Sequence, residues 1–169
     1  MDRDEDFSAY VDARGMTLVR SAVLMGCSLS DAEDLVQTAL MRCYASWDKV
    51  VAARDSDAYV FRVLLNCRAT GRRRRWSGET PTADLPERAT SDRTDQLALG
   101  AAVSAAMRGL AYEHRCVLVL RYFVDLTEQQ IAQILSIPVG TVKSRLSRAH
   151  TQLSQDRNLA NLLDTRSGP

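Results

Sequence analysis

Thr141, Lys143, Ser144, Arg145 and Arg148 bring two hydroxyls, an ammonium and two guanidiniums into one short stretch, GTVKSRLSR. The apolar Val142 and Leu146 of the same stretch fall at i, i+4 and share one helical face, which leaves the donors to the other faces. Cations and hydroxyls so arranged suit the phosphates and base edges of duplex DNA. The elements that must position them lie just upstream. Thr127, with Gln130 three residues on, reads as a capping box opening a helix in which Ile131, Ile134 and Leu135 line one face. Ser136-Ile137-Pro138 interrupts that pattern, and Pro138 belongs in the first turn of the next helix. Leu126 to Arg148 is therefore laid out as a helix-turn-helix, one helix bracing and the other entering the major groove. An αα-hairpin with a solvated basic face accounts for the same pattern, so the motif names a ligand class and no more. At Ser136 the chain must reverse, and a left-handed backbone there favours Gly by about 1 kcal/mol.

A second constellation lies in the N-terminal half. From Arg62 to Trp76 there are six arginines and no acid, with Trp47, Tyr59, Phe61 and Trp76 interleaved or nearby. Cations that follow a phosphate backbone, with aromatics on which unpaired bases stack, form a platform for single-stranded nucleic acid. Trp47 and Tyr59 as core residues, with Arg72 to Arg75 a solvated helix end, is the competing account. A third element is DAEDLVQ, residues 31–37, whose carboxylates stabilise a helix N-terminus. Asp34, Gln37 and Met41 follow at i, i+3, i+7, a mixed stripe suited to another protein's helices.

The net charge of +1 hides this asymmetry: acids outnumber arginines from Met1 to Leu35, and the arginine segment follows. Two partners of different electrostatics are implied. Cys27, Cys43, Cys67 and Cys116 have no CxxC spacing, and Cys43 and Cys67 read as small buried hydrophobes, so no metal or cofactor is expected. The acidic start lacks a signal peptide's pattern, and no uncharged apolar run nears the roughly 20 residues that span a bilayer. A cytoplasmic chain without membrane insertion is expected. His114 and His150 lack a Ser or Cys triad context and there is no phosphate-binding Gly loop, so no enzymatic reaction is expected.

Apolar residues recur at helical spacing nearly throughout, predicting an all-α chain. A first helical region breaks near Gly26. Ser30 with Glu33 reads as a capping box for a second helix carrying Leu35, Val36, Ala39, Leu40 and Cys43, and Asp48–Ser56 reads as a loop before a third. Pro, Gly, Ser, Thr and acids replace periodicity from Ser77 to Asp95. The expected architecture is two small helical domains, 1–76 and 97–157, joined by a flexible linker at 77–96 and followed by a tail at 158–169, with the helix-turn-helix in the C-terminal domain.

DAEDLVQ, then Trp47, then DAYVFRVLLN running into the arginines, then a helix-turn-helix ending GTVKSRLSRA, resembles an extracytoplasmic-function (ECF, group IV) RNA polymerase sigma factor. The resemblance covers both lobes in order, and RRRRWSGETPTADLPE is similar to an actinobacterial, sigma-E-like branch. Ser136 departs from the Gly usual in the turn, and Leu110-Ala111 from the family's common Leu-Pro. The resemblance implies a subunit that binds core polymerase and recognises a −35 duplex and a −10 single strand. Asp34, Leu35, Gln37, Leu40 and Met41 would dock on the β′ clamp helices, with the β subunit also a partner. Trp47, Arg54, Tyr59, Arg62, Asn66 and Arg72, Arg73, Arg74 and Arg75 would engage the −10 element. Thr141, Lys143, Ser144, Arg145 and Arg148 would read the −35 element. An anti-sigma factor is a further implied partner, and location with the nucleoid follows when the subunit is in holoenzyme. A helix-turn-helix regulator that binds duplex DNA without joining a polymerase also explains the C-terminal motif, but leaves the DAEDLVQ helix and arginine segment without a role.

Overall fold

The computed structural model describes residues 2–75 and 94–157, with side chains for 2–71 and 100–157. Among these the chain is helical and holds no strand. The first lobe comprises α1 (Arg3–Leu24), α2 (Leu29–Ala45), α3 (Trp47–Val51) and α4 (Ser56–Arg75); the second comprises α5 (Thr94–Arg108), α6 (Tyr112–Leu118), α7 (Glu128–Leu135) and α8 (Val139–Ser154). α5 opens at Thr94, three residues inside the stretch read as linker; the rest of that linker, Trp76 and the tail lie outside the described residues.

Local chemistry explains where the helices begin and end. Asp4, Glu5 and Asp6 crowd the first turn of α1, where the helix dipole favours negative charge. α2 is capped by Ser28, whose hydroxyl accepts from the Asp31 N–H at 3.1 Å, so the helix starts two residues before the Ser30 box expected from spacing. Between α1 and α2, Gly26 has φ 103°. A Cβ there would also lie 3.3 Å from the Arg115 guanidinium, so both backbone and space favour glycine. The stretch read as a loop, Asp48–Ser56, begins inside α3, because Trp47 and Val50, one turn apart, are both driven into the core. The true connection is 52–55, closed by Asp55, whose carboxylate accepts from the Ala58 N–H at 3.0 Å and caps α4.

The first core packs Leu18, Val36, Ala39, Cys43, Trp47, Val60, Phe61 and Leu64 between α1, α2, α3 and α4. Across its edge Tyr10 and Arg14 of α1 both donate to the Asp57 carboxylate, Tyr10 at 2.9 Å and Arg14 Nε at 3.0 Å. Burial, reinforced by the negative charge of Asp57, raises the Tyr10 hydroxyl well above its usual range. Its hydrogen bond to Asp57 raises Arg14.

The second core holds Met107, Leu110, Val117, Leu120, Ile131, Ile134, Val142, Leu146 and Ala149. α6 widens into a π-turn over Val119–Phe123, where Val124 N–H bonds back to the Val119 carbonyl, five residues earlier. The two cores run together as α4 packs on α7 and α1 on the π-turn. The helices of the two halves are packed against each other around one continuous core.

Ser136 sits in the left-handed region (φ 55°, ψ 45°) and its N–H bonds to the Ala132 carbonyl, ending α7. Ser136→Gly is expected to stabilise the chain by about 1 kcal/mol, raising the midpoint of thermal unfolding by about 2–4 °C; an unchanged or lower midpoint in calorimetry contradicts the strain assigned to this turn.

Candidate nucleic-acid interface

α8 is split cleanly between its faces. Val142 and Ala149 are fully buried and Leu146 nearly so, whereas Lys143, Ser144 and Arg148 are exposed and Thr141 and Arg145 half-buried. Thr141, Ser144, Arg145 and Arg148 follow at i, i+3, i+4, i+7 and make one outward stripe. The Ser144 hydroxyl donates to the Thr141 carbonyl at 3.0 Å. Lys143 points instead toward α7, 3.8 Å from the Glu128 carboxylate, an exposed pair of small energetic weight. α7 holds α8 in place through the expected capping box: the Gln130 N–H donates to Thr127 Oγ1 at 3.2 Å and the Thr127 N–H to Gln130 Oε1 at 2.7 Å. Pro138 is the residue before α8, one position earlier than its expected place in the first turn. Four of the five expected residues, Thr141, Ser144, Arg145 and Arg148, are therefore brought together on one face of a helix locked into a core, and Lys143 lies apart on the flank that meets α7.

The residues expected for the −10 element divide differently. Arg54, Arg62 and Asn66 are exposed, with Arg62 and Asn66 one turn apart on α4. The Arg62 guanidinium lies over the half-buried Tyr59 ring, 5.1 Å from its centre. Arg72 to Arg75 continue α4, and their side chains lie outside the described residues. Trp47 is the exception. It is 4% exposed and packs edge-on against Phe7 at 5.1 Å and against Tyr10 at 5.5 Å. With both neighbours supplied by α1, the ring has no free face on which a base could stack, so its role is in the core.

On α2, Asp34, Gln37 and Met41 are exposed, Met41 at 67%. Leu35 is half-buried at the edge of that stripe. Leu40 is corrected by the structure: it falls with Val36, Ala39 and Cys43 on the side of α2 that meets α1 and α4, and belongs to the core.

The buried cysteines are free thiols within the core. Burial pushes the Cys43 thiol up to about 11, and Cys67 and Cys116 are raised by the same cause, which makes all three inert at neutral pH. Among the described residues no cluster of His, Cys, Asp and Glu could hold a metal, and no helix is long and apolar enough to cross a membrane. His114 Nδ1 meets Gln152 Oε1 at 3.1 Å, and His150 Nε2 is hydrogen-bonded to the Tyr122 hydroxyl at 2.8 Å, on the surface of the second lobe.

Spacing alone does not reveal two residues that join the lobes. Arg68, one of the six arginines of the basic segment, turns inward: it donates to the Met25 carbonyl at 2.9 Å and its guanidinium lies 4.4 Å from the centre of the Tyr112 ring of α6. Asp55 accepts a hydrogen bond from the Gln130 amide of α7. Its position just before α4 signals a cap in the sequence; the second partner, 75 residues away, does not show there.

The region 4 family of sigma-70 matches residues 101–153. The RNA polymerase sigma-E factor of Streptomyces coelicolor is 38% identical over 162 residues, covering 96% of this chain and 91% of that protein. The ECF RNA polymerase sigma factor SigL of Mycobacterium tuberculosis is 32% identical over 146 residues, covering 83% and 82%. Among solved structures, the sigma factor RpoE in complex with the anti-sigma factor NepR, from Bartonella quintana, has the same fold, with a TM-score of 0.75 at 24% identity over 95% of this chain and 98% of that one.

Removing the Trp47 ring tests its place in the core. Trp47→Ala is expected to lower stability by about 3–5 kcal/mol in urea unfolding, and Trp47→Phe to restore a large part of it. An alanine variant as stable as the parent, with only nucleic-acid binding lost, contradicts the packing role.

Proposed function

The chain belongs to the extracytoplasmic-function RNA polymerase sigma factors, and on that premise we propose how its surfaces divide the work of promoter recognition. A sigma factor associates with core polymerase and directs it to promoters; the polymerase supplies the catalysis, and no reaction is assigned to this chain. The observation that carries the division is the α8 stripe, with its hydroxyl and guanidinium donors facing out over buried Val142, Leu146 and Ala149. A rigid helix with such a face suits the major groove, where base edges carry a unique pattern of donors and acceptors.

The second lobe, residues 97–157 in its sequence bounds, reads the −35 element as duplex. Thr141, Ser144, Arg145 and Arg148 face the groove and Lys143 reaches a flanking phosphate. The first lobe, residues 1–76, takes the −10 element as a single strand: Tyr59 backed by Arg62 offers a ring for stacking, while Arg54, Asn66 and Arg72 to Arg75 follow the backbone. The exposed stripe of Asp34, Gln37 and Met41, with Leu35 at its edge, docks on the polymerase β′ clamp helices, and the β subunit completes the contact with the core enzyme. An anti-sigma protein is a further partner, by analogy with the NepR complex of the Bartonella protein. The work is done in the cytoplasm, on the nucleoid.

Added to purified core polymerase, the chain is expected to produce promoter-specific transcripts. No initiation from any mapped start site of an overproducing strain overturns the assignment in favour of a stand-alone duplex-binding regulator. Arg145→Glu is expected to cost about 1–3 kcal/mol in binding −35 duplex, with polymerase association unchanged. Asp34→Ala with Gln37→Ala is expected to reverse that pattern, lowering co-purification with core polymerase while duplex binding persists. Equal losses in both assays for either variant would contradict separate surfaces.

A further inference from the structure

The first turn of α4 carries more hydrogen bonding than a helix start needs. Asp55 caps it, and Asp57 in the first turn suits the helix dipole by itself. Yet Asp57 also accepts from three donors of α1: the Tyr10 hydroxyl at 2.9 Å and Arg14 Nε at 3.0 Å on one oxygen, and Arg14 Nη2 on the other. Arg14 thus grips both oxygens with its planar fork, which fixes direction as well as distance. Tyr10 is steadied in turn by Trp47, their ring centres 5.5 Å apart. We propose that Asp57 is a positioning residue for the −10 face: clamped by Tyr10 and Arg14, it sets the first turn of α4 and with it the attitude of Tyr59 toward the strand. This rests on the assignment of the first lobe to the −10 element.

Burial shows why this stretch needs a clamp. No residue from 51 to 59 is fully buried, and the core stripe of α4 begins only at Val60 and Phe61. The apolar core therefore fixes the body of the helix and leaves its first turn to polar ties. Ser56 supplies a local one, its hydroxyl donating to the Val50 carbonyl at 3.1 Å, and the Gln130 amide reaches Asp55 from α7. Asp57 adds a tie to α1. Tyr59 follows Asp57 by two residues, about 200° round the helix, so the clamp and the ring lie on opposite sides of one turn. A tilt at Asp57 is carried to Tyr59 and to the Arg62 guanidinium over its ring. The Arg14 and Asp57 side chains are 35% and 25% exposed, where an ion pair adds little stability after solvent screening. What the two-pronged grip adds is geometry, and stacking on a base depends on how the ring is aligned.

Arg14→Lys separates geometry from charge, because lysine keeps the charge and loses the fork. Together with Asp57→Asn it is tested in holoenzyme reconstituted from core polymerase, on a single-stranded non-template oligonucleotide carrying the −10 region of a mapped promoter. Each variant is expected to bind that strand about tenfold more weakly, within the worth of one stacked base, and to quench 2-aminopurine placed along it less than the parent does. Binding of −35 duplex by the free chain stays at the parent value, and the midpoint of thermal unfolding moves by no more than about 2 °C. On a Tyr59→Ala background neither substitution is expected to weaken strand binding further, since Asp57 acts through that ring. Parent-like strand binding by Arg14→Lys and Asp57→Asn beside a weakened Tyr59→Ala overturns the positioning role, as do full additivity with Tyr59→Ala or an equal loss on duplex. A Tyr59→Ala holoenzyme that binds the strand as the parent does removes the −10 assignment, and this inference falls with it.

Discussion

The exposed stripes of α2 and α8, on which the proposed binding surfaces rest, are each the reverse side of a buried apolar stripe. Val142, Leu146 and Ala149 fix the rotation of α8, and Val36, Ala39, Leu40 and Cys43 fix that of α2. Once those stripes are sealed, helical geometry leaves no choice about which side chains face solvent. The stripes also explain the division within each helix. A leucine offered to a partner would have to leave the core to reach it, so Leu40 stays in while Met41, one residue on, stands outside. These exposed stripes are thus only as rigid as the cores behind them, and Trp47 contributes by packing against Phe7 and Tyr10 in the first core.

Arginine is used in two ways that composition does not separate. Arg62 and Arg68 are six positions apart on α4, nearly two turns, yet one lies exposed against Tyr59 and the other crosses to Tyr112. Both make a cation–π contact. The difference is whether the aromatic partner is local, as Tyr59 is, or belongs to the second lobe. A guanidinium can hold a carbonyl and a ring face at once because its donors lie in the plane and its charge acts through the face. Arg68 uses both. A lysine there would keep the charge and lose the fork.

Local signals were readable from spacing, and long-range ones were not. The capping box at Thr127, the left-handed turn at Ser136, the break at Gly26 and the inward Val142–Leu146 pair are each set within a few residues, and each is found. Misreadings arose where a neighbour in space outweighs one in sequence. Ser30 has the right spacing to Glu33, but Ser28 is placed by the turn at Gly26 and caps first. Trp47 near arginines suggests stacking on bases, until Phe7 and Tyr10 arrive from α1 to enclose it. The burial of each side chain separates the exposed residues of α2 and α8 from the core ones.

Gln130 ties these levels together. Its carbonyl oxygen completes the cap that starts α7, and its amide nitrogen reaches Asp55, which itself caps α4. Two helix N-termini, one in each lobe, are therefore joined through one side chain. The geometry that starts α7 is mechanically continuous with the geometry that starts α4. An amide is the only side-chain chemistry of this length that can accept from one backbone and donate to a carboxylate at once. Glutamate would serve the cap equally well. The demand that distinguishes Gln from Glu at this position is thus the contact with the other lobe, and it lies outside the reach of any local rule for building a helix.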